Sequence, residues 1–323
     1  VPIEWQRGGL KLQGAALWFD ARQRTPLAFV SHAHADHLAR HEHVIATRET
    51  LALMTHRLGP LQATTEAPYR QPWQVGGLTL ELFPAGHVLG AAQVRVTRED
   101  GHRVAYTGDL SVGPSLTAAP SEVVPCDTLV LESTFGHPRY RFPPREATYD
   151  AVAAWARAQL AAGVRPILLA YSLGKSQETI AQLTARGLRL CADPAIHAVT
   201  QLYVRLGVEL HARCFDGTFE AGEVGLFPPF RARAPLAHLG PLQLAALTGW
   251  ALEPWGARRA GADVAFPVSD HADFPSLVAY ARATGAREVV TVHGLAEDLA
   301  RGLRQAGLFA RAVSERVQLA LDL

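Results

Sequence analysis

Lysine is nearly absent: Lys11 and Lys175 are the only two in 323 residues, so almost all of the 31 basic side chains are arginine. Arginine's planar fork suits phosphate recognition, but its use along the whole of an alanine-rich chain reads as compositional bias. Net charge is equally thin, +1 at pH 7, and advertises no polyanion partner. Cys126, Cys191 and Cys214 are odd in number, far apart and in no C-x-x-C pair, so neither a disulfide framework nor a thiolate zinc site is indicated. No apolar run reaches the ~18 residues of a membrane span. Val1-Pro2-Ile3-Glu4-Trp5 lacks the basic and apolar regions of a secretory signal. The expectation is a cytoplasmic protein with no membrane partner. With 48% hydrophobic and 19% charged residues the chain is globular, and its length suits one large α/β domain or two smaller ones.

Histidine is where the chemistry concentrates. Leu27-Ala28-Phe29-Val30 reads as a short buried strand that runs into Ser31-His32-Ala33-His34-Ala35-Asp36-His37. Alternation in an extended segment sends His32 and His34 to one side, while Asp36 and His37, past the bend, reach a second point. One loop can therefore feed two metal ions. H-x-H-x-D-H closing a hydrophobic strand is far more specific than a lone histidine.

The pattern of a strand ending in something chemical recurs. Residues 10–31 read as two or three short strands in a hairpin-like start, and 48–58 as an amphipathic helix closed by Gly59-Pro60. Strands follow at 78–83, 91–97 and 103–107, the last two joined by a D-G turn. The first leads into Pro84-Ala85-Gly86-His87, the third into Thr107-Gly108-Asp109, and the apolar Leu129-Val130-Leu131 into Glu132. Open sheets build active sites from strands that end in polar residues along one rim. From about 145 the texture changes to alternating helix and strand, which implies a small parallel α/β unit, and 221–256 is the least legible stretch. After 263 the first texture returns, with Ser269-Asp270-His271 and His293-Gly294 at strand ends. The expected architecture is a discontinuous first domain, 1–144 with 264–323, and a second domain, 145–263, inserted between its halves.

These residues resemble a family. His32-x-His34-x-Asp36-His37, His87 in G-H-x-x-G and Asp109 in T-G-D match, in order, the metal motifs of the metallo-β-lactamase fold. Glu132-Ser133-Thr134-Phe135-Gly136, Ser269-Asp270-His271-Ala272-Asp273 and Val292-His293-Gly294 match three further motifs of its β-CASP branch, the nucleases of DNA and RNA. The stretch Ala170 to Glu178 resembles the strand, turn and helix that open the β-CASP insertion. The local wording is most similar to the bacterial DNA ligase-associated exonucleases. The fold implied is an α/β metallo-β-lactamase αββα sandwich carrying a small α/β β-CASP domain.

The resemblance implies two divalent metal ions, zinc or manganese. It places His32, His34 and His87 on one, Asp36, His37 and His293 on the other, and Asp109 between them. Nitrogen and carboxylate donors without thiolate suit either metal. Asp36, Asp109, Glu132 and His271 are the candidate catalytic residues, with His271 as the acid that protonates the departing oxygen and Glu132 as the carboxylate that orients it. Ser172, Lys175 and Ser176, at a strand-to-helix turn, and Ser133, Thr134 and Ser269, beside catalytic residues, are candidate substrate contacts. The expected activity is metal-dependent exonucleolytic hydrolysis of DNA in repair, single-stranded or from an end. A 5′-to-3′ direction, some endonuclease activity and a functional link to a DNA ligase are further implications of the resemblance. Two alternatives stand beside it: an RNA-processing nuclease, which His293 favours because RNA-directed members of the branch carry histidine there, and an inactive scaffold subunit.

Overall fold

A computed structural model describes residues 3–6, 8–229 and 236–313. The chain divides into two compact units: Val1–Gly113, Ala118–Arg141 and His271–Leu323 form the first, Pro114–Thr117 and Phe142–Asp270 the second. The cuts lie at 141/142 and 270/271, against the expected 144/145 and 263/264, and the short stretch Pro114–Thr117 groups with the second unit. Among the described residues no helix is long and apolar enough to cross a membrane.

The first unit opens with β1 (Ile3–Gln6), β2 (Gly9–Leu12), β3 (Leu17–Phe19), β4 (Leu27–Phe29), β5 (His43–Ala46) and β6 (Thr64–Glu66), which form one sheet in that order. β1, β2 and β3 pair antiparallel, but β3 and β4 are parallel, with Phe19 opposite Phe29. The hairpin-like start therefore stops at β3. Residues 20–26 carry the chain back to begin β4 beside β3, and this return places residue 20 next to residue 31. The helix Arg48–Leu58 is capped by Thr47, whose hydroxyl accepts from Thr50 N at 3.2 Å, and it buries Leu53 and Met54.

A second sheet begins with β7 (Trp73–Val75), β8 (Leu78–Pro84), β9 (Ala92–Thr97), β10 (Arg103–Tyr106) and β11 (Thr128–Glu132). β8, β9 and β10 form an antiparallel meander, and β11 joins β10 in parallel. β8, β10 and β11 thus run the same way and end at the same rim.

The second unit holds β12 (Arg165–Leu169), β13 (Arg189–Ala192), β14 (Arg213–Cys214), β15 (Glu223–Phe227), β16 (Leu242–Leu247) and β17 (Val264–Phe266) in an all-parallel sheet of order β14-β13-β15-β12-β16-β17. The helices Arg145–Ala161, Lys175–Ala185 and Pro194–Arg205 alternate with its strands. On one face Ile167, Leu169, Phe227, Leu236 and Leu244 form the core.

The chain then returns to the first unit. The helix Phe274–Ala283 precedes β18 (Glu288–Val292), and the helix Ala296–Gln305 precedes β19 (Ala310–Ala312). β18 pairs in parallel with β11, Glu132 opposite Val292, and β19 pairs in parallel with β18 to complete a seven-stranded sheet. Alternation along these strands separates two cores. Val130, Val290 and Val292 face Phe19, Phe29 and Ile45 of the first sheet, whereas Leu129, Leu131 and Val289 face Leu277, Leu299 and Leu303 of the two helices. A strand covered on both faces reads as a continuous apolar run, which is why all five residues of β11 are buried.

Candidate metal centre

His32 follows β4, His87 follows β8, Asp109 follows β10, Glu132 ends β11 and His293 follows β18. Two glycines allow the close approach. Gly108 has φ +55°, and a Cβ there would stand 2.5 Å from the Ser31 hydroxyl oxygen; Gly294 has φ +44°, and a Cβ there would stand 2.6 Å from the Ser133 carbonyl oxygen. His293 itself takes φ +62°, a left-handed conformation that costs a non-glycine residue of order 1–3 kcal/mol and persists where the surroundings hold it.

His32, His34, His87 and Asp109 each bring one donor atom to a common point. His34 Nδ1 is 3.0 Å from His32 Nε2 and 3.0 Å from His87 Nε2. Asp109 Oδ2 is 3.4 Å from His32 Nε2 and 3.6 Å from His87 Nε2. Ligands ~2.1 Å from a tetrahedral centre stand ~3.4 Å apart, so this donor set fits a divalent cation. The same Asp109 oxygen is 3.3 Å from His37 Nε2, which lies 3.8 Å from the exposed carboxylate of Asp36. The rings of His37 and His293 are 5.8 Å apart. His32, His34, His87 and Asp109 thus form one constellation, and His37, with Asp36 and His293 as neighbours, approaches the same Asp109 oxygen.

Burial and charge set the protonation of this cluster. Burial holds the His32 imidazole well below its ordinary pKa, with His37 adding to the effect. Burial lowers His293 too, and again His37 adds to it. At His37 burial also pulls downward, but Asp109 and Asp20 outweigh it and hold the imidazole well above its usual value. For Asp109 burial opposes ionisation, yet His37, His271 and His32 together hold the carboxyl well below the usual carboxylate range.

Asp20 is absent from the sequence expectations. It sits just past β3 with φ +45°. Its carboxylate accepts from Ser31 N at 2.7 Å, Ser31 Oγ at 2.6 Å and Tyr106 Oη at 2.7 Å, and stands 2.9 Å from His37 Nδ1. The Ser31 hydroxyl is in turn 2.9 Å from His32 Nδ1. An acidic residue before a histidine-rich strand end is too common a pattern to have marked it.

Glu132 is fully buried, and its Oε1 lies 3.1 Å from His271 Nδ1. Glu132 also accepts from Leu110 N at 2.9 Å and Thr134 N at 2.9 Å. His271 Nε2 is 4.0 Å from Asp109 Oδ2.

The expected substrate contacts differ in how far they are exposed. Ser133 is fully buried, and its hydroxyl lies 2.7 Å from the Val292 carbonyl and 2.6 Å from that of His293. Ser176 is fully buried too and donates to the Tyr171 carbonyl at 2.7 Å. Lys175 is only 6% exposed, its ammonium 3.1 Å from Asp270. Each lies under the surface because its polar group is engaged with the protein. Ser172, Ser269 and Thr134 are half-buried.

Residues 17–168 match the sequence profile of the beta-lactamase superfamily domain. The chain carries a metallo-β-lactamase superfamily domain. Its fold is the metallo-β-lactamase αββα sandwich with further α/β structure inserted. A protein of unknown function from Enterococcus faecalis V583 superposes with a TM-score of 0.61 over 90% of this chain and 79% of its own, at 15% identity. Among sequence relatives, a protein of Opitutus terrae named "Probable DNA ligase" is 35% identical over 98% of this chain. An "RNase J-like protein" of Methanocaldococcus jannaschii is 25% identical over 47% of this chain, and the "Endoribonuclease YSH1" of Eremothecium gossypii is 33% identical over 34% of it. The chain covers 31%, 41% and 14% of these relatives' own lengths. The metallo-β-lactamase fold and the histidine and aspartate clusters suit divalent metal binding.

Proposed function

We propose that the chain is a two-metal nuclease of the β-CASP type that hydrolyses phosphodiester bonds of DNA, single-stranded or from an end. The observation that carries the reading is the meeting of two constellations on Asp109: the imidazoles of His32, His37 and His87 lie 3.3–3.6 Å from Asp109 Oδ2, and His271, tied to Glu132, lies 4.0 Å from the same oxygen. A donor cluster beside an oriented histidine is what cleavage of a phosphodiester demands: charge must be offset on the phosphate and a proton supplied to the leaving oxygen.

His32, His34 and His87 would hold one cation, Asp36, His37 and His293 the other, and Asp109 would serve both. When bound, zinc or manganese supplies Lewis acidity to the phosphate and makes water nucleophilic near neutral pH. The protein's own groups do the rest. Asp20 fixes the ring of His37 through Nδ1, so Nε2 faces the site. Glu132 accepts the Nδ1 proton of His271, which leaves Nε2 as the atom that donates to the departing oxygen. Ser31 orients His32 in the same manner.

Relatedness across nearly the whole chain to a protein named for DNA ligation supports DNA as the substrate and a ligase as functional neighbour. An RNA substrate is the second reading, favoured by relatives named as ribonucleases that match a third to a half of the chain. The test compares end-labelled single-stranded DNA and RNA of one sequence, with metal-stripped protein resupplied with manganese or zinc, beside the Asp109→Ala variant. Stepwise shortening of DNA alone, absent in the variant, is the expected result, and the label position gives polarity. Preferential RNA cleavage overturns the DNA reading, and cleavage of neither overturns the nuclease.

A further inference from the structure

Lys175, one of the two lysines, sits at a turn where a phosphate contact would be the obvious reading. Its surroundings within the second unit say otherwise. The ammonium is 3.1 Å from Asp270 Oδ1, and the side chains are 6% and 13% exposed. A paired ammonium this deeply covered has little left to offer a strand of nucleic acid.

Three residues later on the same helix, Glu178 receives a second segment of chain. Its Oε2 accepts from Ser115 Oγ at 2.7 Å, Leu116 N at 3.0 Å and Thr117 Oγ1 at 2.9 Å. Its Oε1 accepts from Gln182 Nε2 at 2.9 Å. Arg145 links the two segments. It donates to the Pro114 carbonyl through Nη1 and to the Ser269 carbonyl through Nη2 at 3.2 Å, and its guanidinium lies 4.0 Å from Glu178. The first turn of the helix Lys175–Ala185 and Arg145 together grip residues 114–117 and 269–270.

Those segments are the ones the chain uses to enter and leave the catalytic residues. Residue 114 comes five positions after Asp109, and residue 270 directly precedes His271. Buried charge-assisted bonds fix backbone more firmly than a solvated turn does, and an error of about 1 Å in a catalytic group can cost ~100-fold in rate.

We propose that Lys175 is a positioning residue: with Arg145 it holds Ser269 and Asp270, while Glu178 holds residues 115–117, so that the imidazole of His271 is delivered at a fixed place, and it does not itself contact phosphate. The inference rests on the reading of His271 as proton donor.

The test uses the full chain with Lys175→Met, Lys175→Arg and Asp270→Asn. Two measurements are made on each: amide hydrogen exchange of residues 268–272, which needs no substrate, and steady-state cleavage with metal content checked. Positioning requires faster exchange in Lys175→Met and in Asp270→Asn alike. It also requires kcat to fall about 10- to 100-fold in both, with KM, its salt dependence and bound metal unchanged, and both effects to recover in Lys175→Arg. A rise in KM with a shallower salt dependence in Lys175→Met, and no such change in Asp270→Asn, marks a phosphate contact and overturns the proposal. Unchanged exchange in both charge-removing variants overturns it too, whatever the activity. If Lys175→Met does not fold, Asp270→Asn and Lys175→Arg decide by the same criteria. An inactive wild type removes the nuclease reading, while the exchange data still report whether the grip exists.

Discussion

The carboxylate of Asp20 lies 2.9 Å from Nδ1 of His37, while Nε2 of the same ring lies 3.3 Å from Asp109. One imidazole is thus gripped from behind by one carboxylate and turned toward another. Ser31 and Tyr106 share the rear carboxylate, so Asp20 fixes two strand ends as well as a ring.

Replacing Asp20 with alanine should weaken metal binding about 10- to 100-fold. It should also lower stability by about 2–6 kcal/mol, because the Ser31 amide and the Tyr106 hydroxyl lose a buried acceptor at a cost of roughly 1–3 kcal/mol each. Metal titration and thermal denaturation of the variant test both. Unchanged affinity would remove Asp20 from the centre.

His271→Ala separates proton donation from metal holding. The expected outcome is a loss of turnover of about 10²–10⁴-fold with both cations retained by elemental analysis. Glu132→Gln should lose activity as well and lose stability in addition, because its carboxylate oxygens accept from the Leu110 and Thr134 amides. A glutamine offers one oxygen where two are used. Release of metal from His271→Ala would instead make His271 a ligand.

Metal loading should depend on pH through His37. In the metal-free protein its pKa is raised, because Asp109 and Asp20 overcome the effect of burial. A cation at that position therefore displaces a proton, and its affinity falls as pH drops through the raised value. Raising the pH should release fewer protons per cation bound, as measured by calorimetry in buffers of different ionisation enthalpy. Saturation at 100 times Kd should stabilise the fold by about 2.7 kcal/mol, read as a higher Tm that a chelator reverses.

The candidate ligand residues were legible because each sits in a short motif at a strand end, where a few positions carry both the geometry and the chemistry. His32, His34 and His37 share one loop, and His87, Asp109 and His293 each have a glycine as an immediate neighbour. Asp20 was not legible because its place beside Ser31 comes from the parallel pairing of β3 with β4, a long-range fact that no local pattern encodes. The ion pair that covers Lys175 was not legible for the same reason: its partner, Asp270, lies far along the chain. In the second unit β15 hid because Glu223 and Gly225 break its apolar run, although all five residues are buried. A Cβ at Gly225 would stand 2.5 Å from Ile167 Cδ1, so a larger residue would require that side chain to shift.

Gly108→Ala tests the close approach of the Asp109 turn to the metal loop. The new Cβ would press on Ser31, whose hydroxyl is bonded to Asp20, and the backbone would keep φ +55°. Strain of this kind costs about 1–3 kcal/mol. Displacement of Asp109 should lower affinity at both cation positions together. A variant with normal metal stoichiometry and normal Tm would show that the turn has room to spare.

Glu223 carries a pH dependence in the second unit. Arg213 stands 2.9 Å and 2.8 Å from its two carboxylate oxygens, and the Glu220 amide donates to it at 2.7 Å. The Arg213 bonds, opposed by burial, hold its pKa below the ordinary 4.5. The folded state therefore binds this proton more weakly than the unfolded chain does. The resulting stabilisation is fully present above pH 4.5 and drains away as pH falls from there through the lowered folded value. Glu223→Gln should lose about 1–3 kcal/mol at neutral pH, since Arg213 is left without its buried partner. It should also show a flatter stability curve between neutral pH and the acid limb, so that wild type and variant converge there. Urea denaturation of both across that range makes the comparison. Parallel curves at all pH values would mean that the carboxylate is held by shape alone and that its charge contributes nothing to the fold.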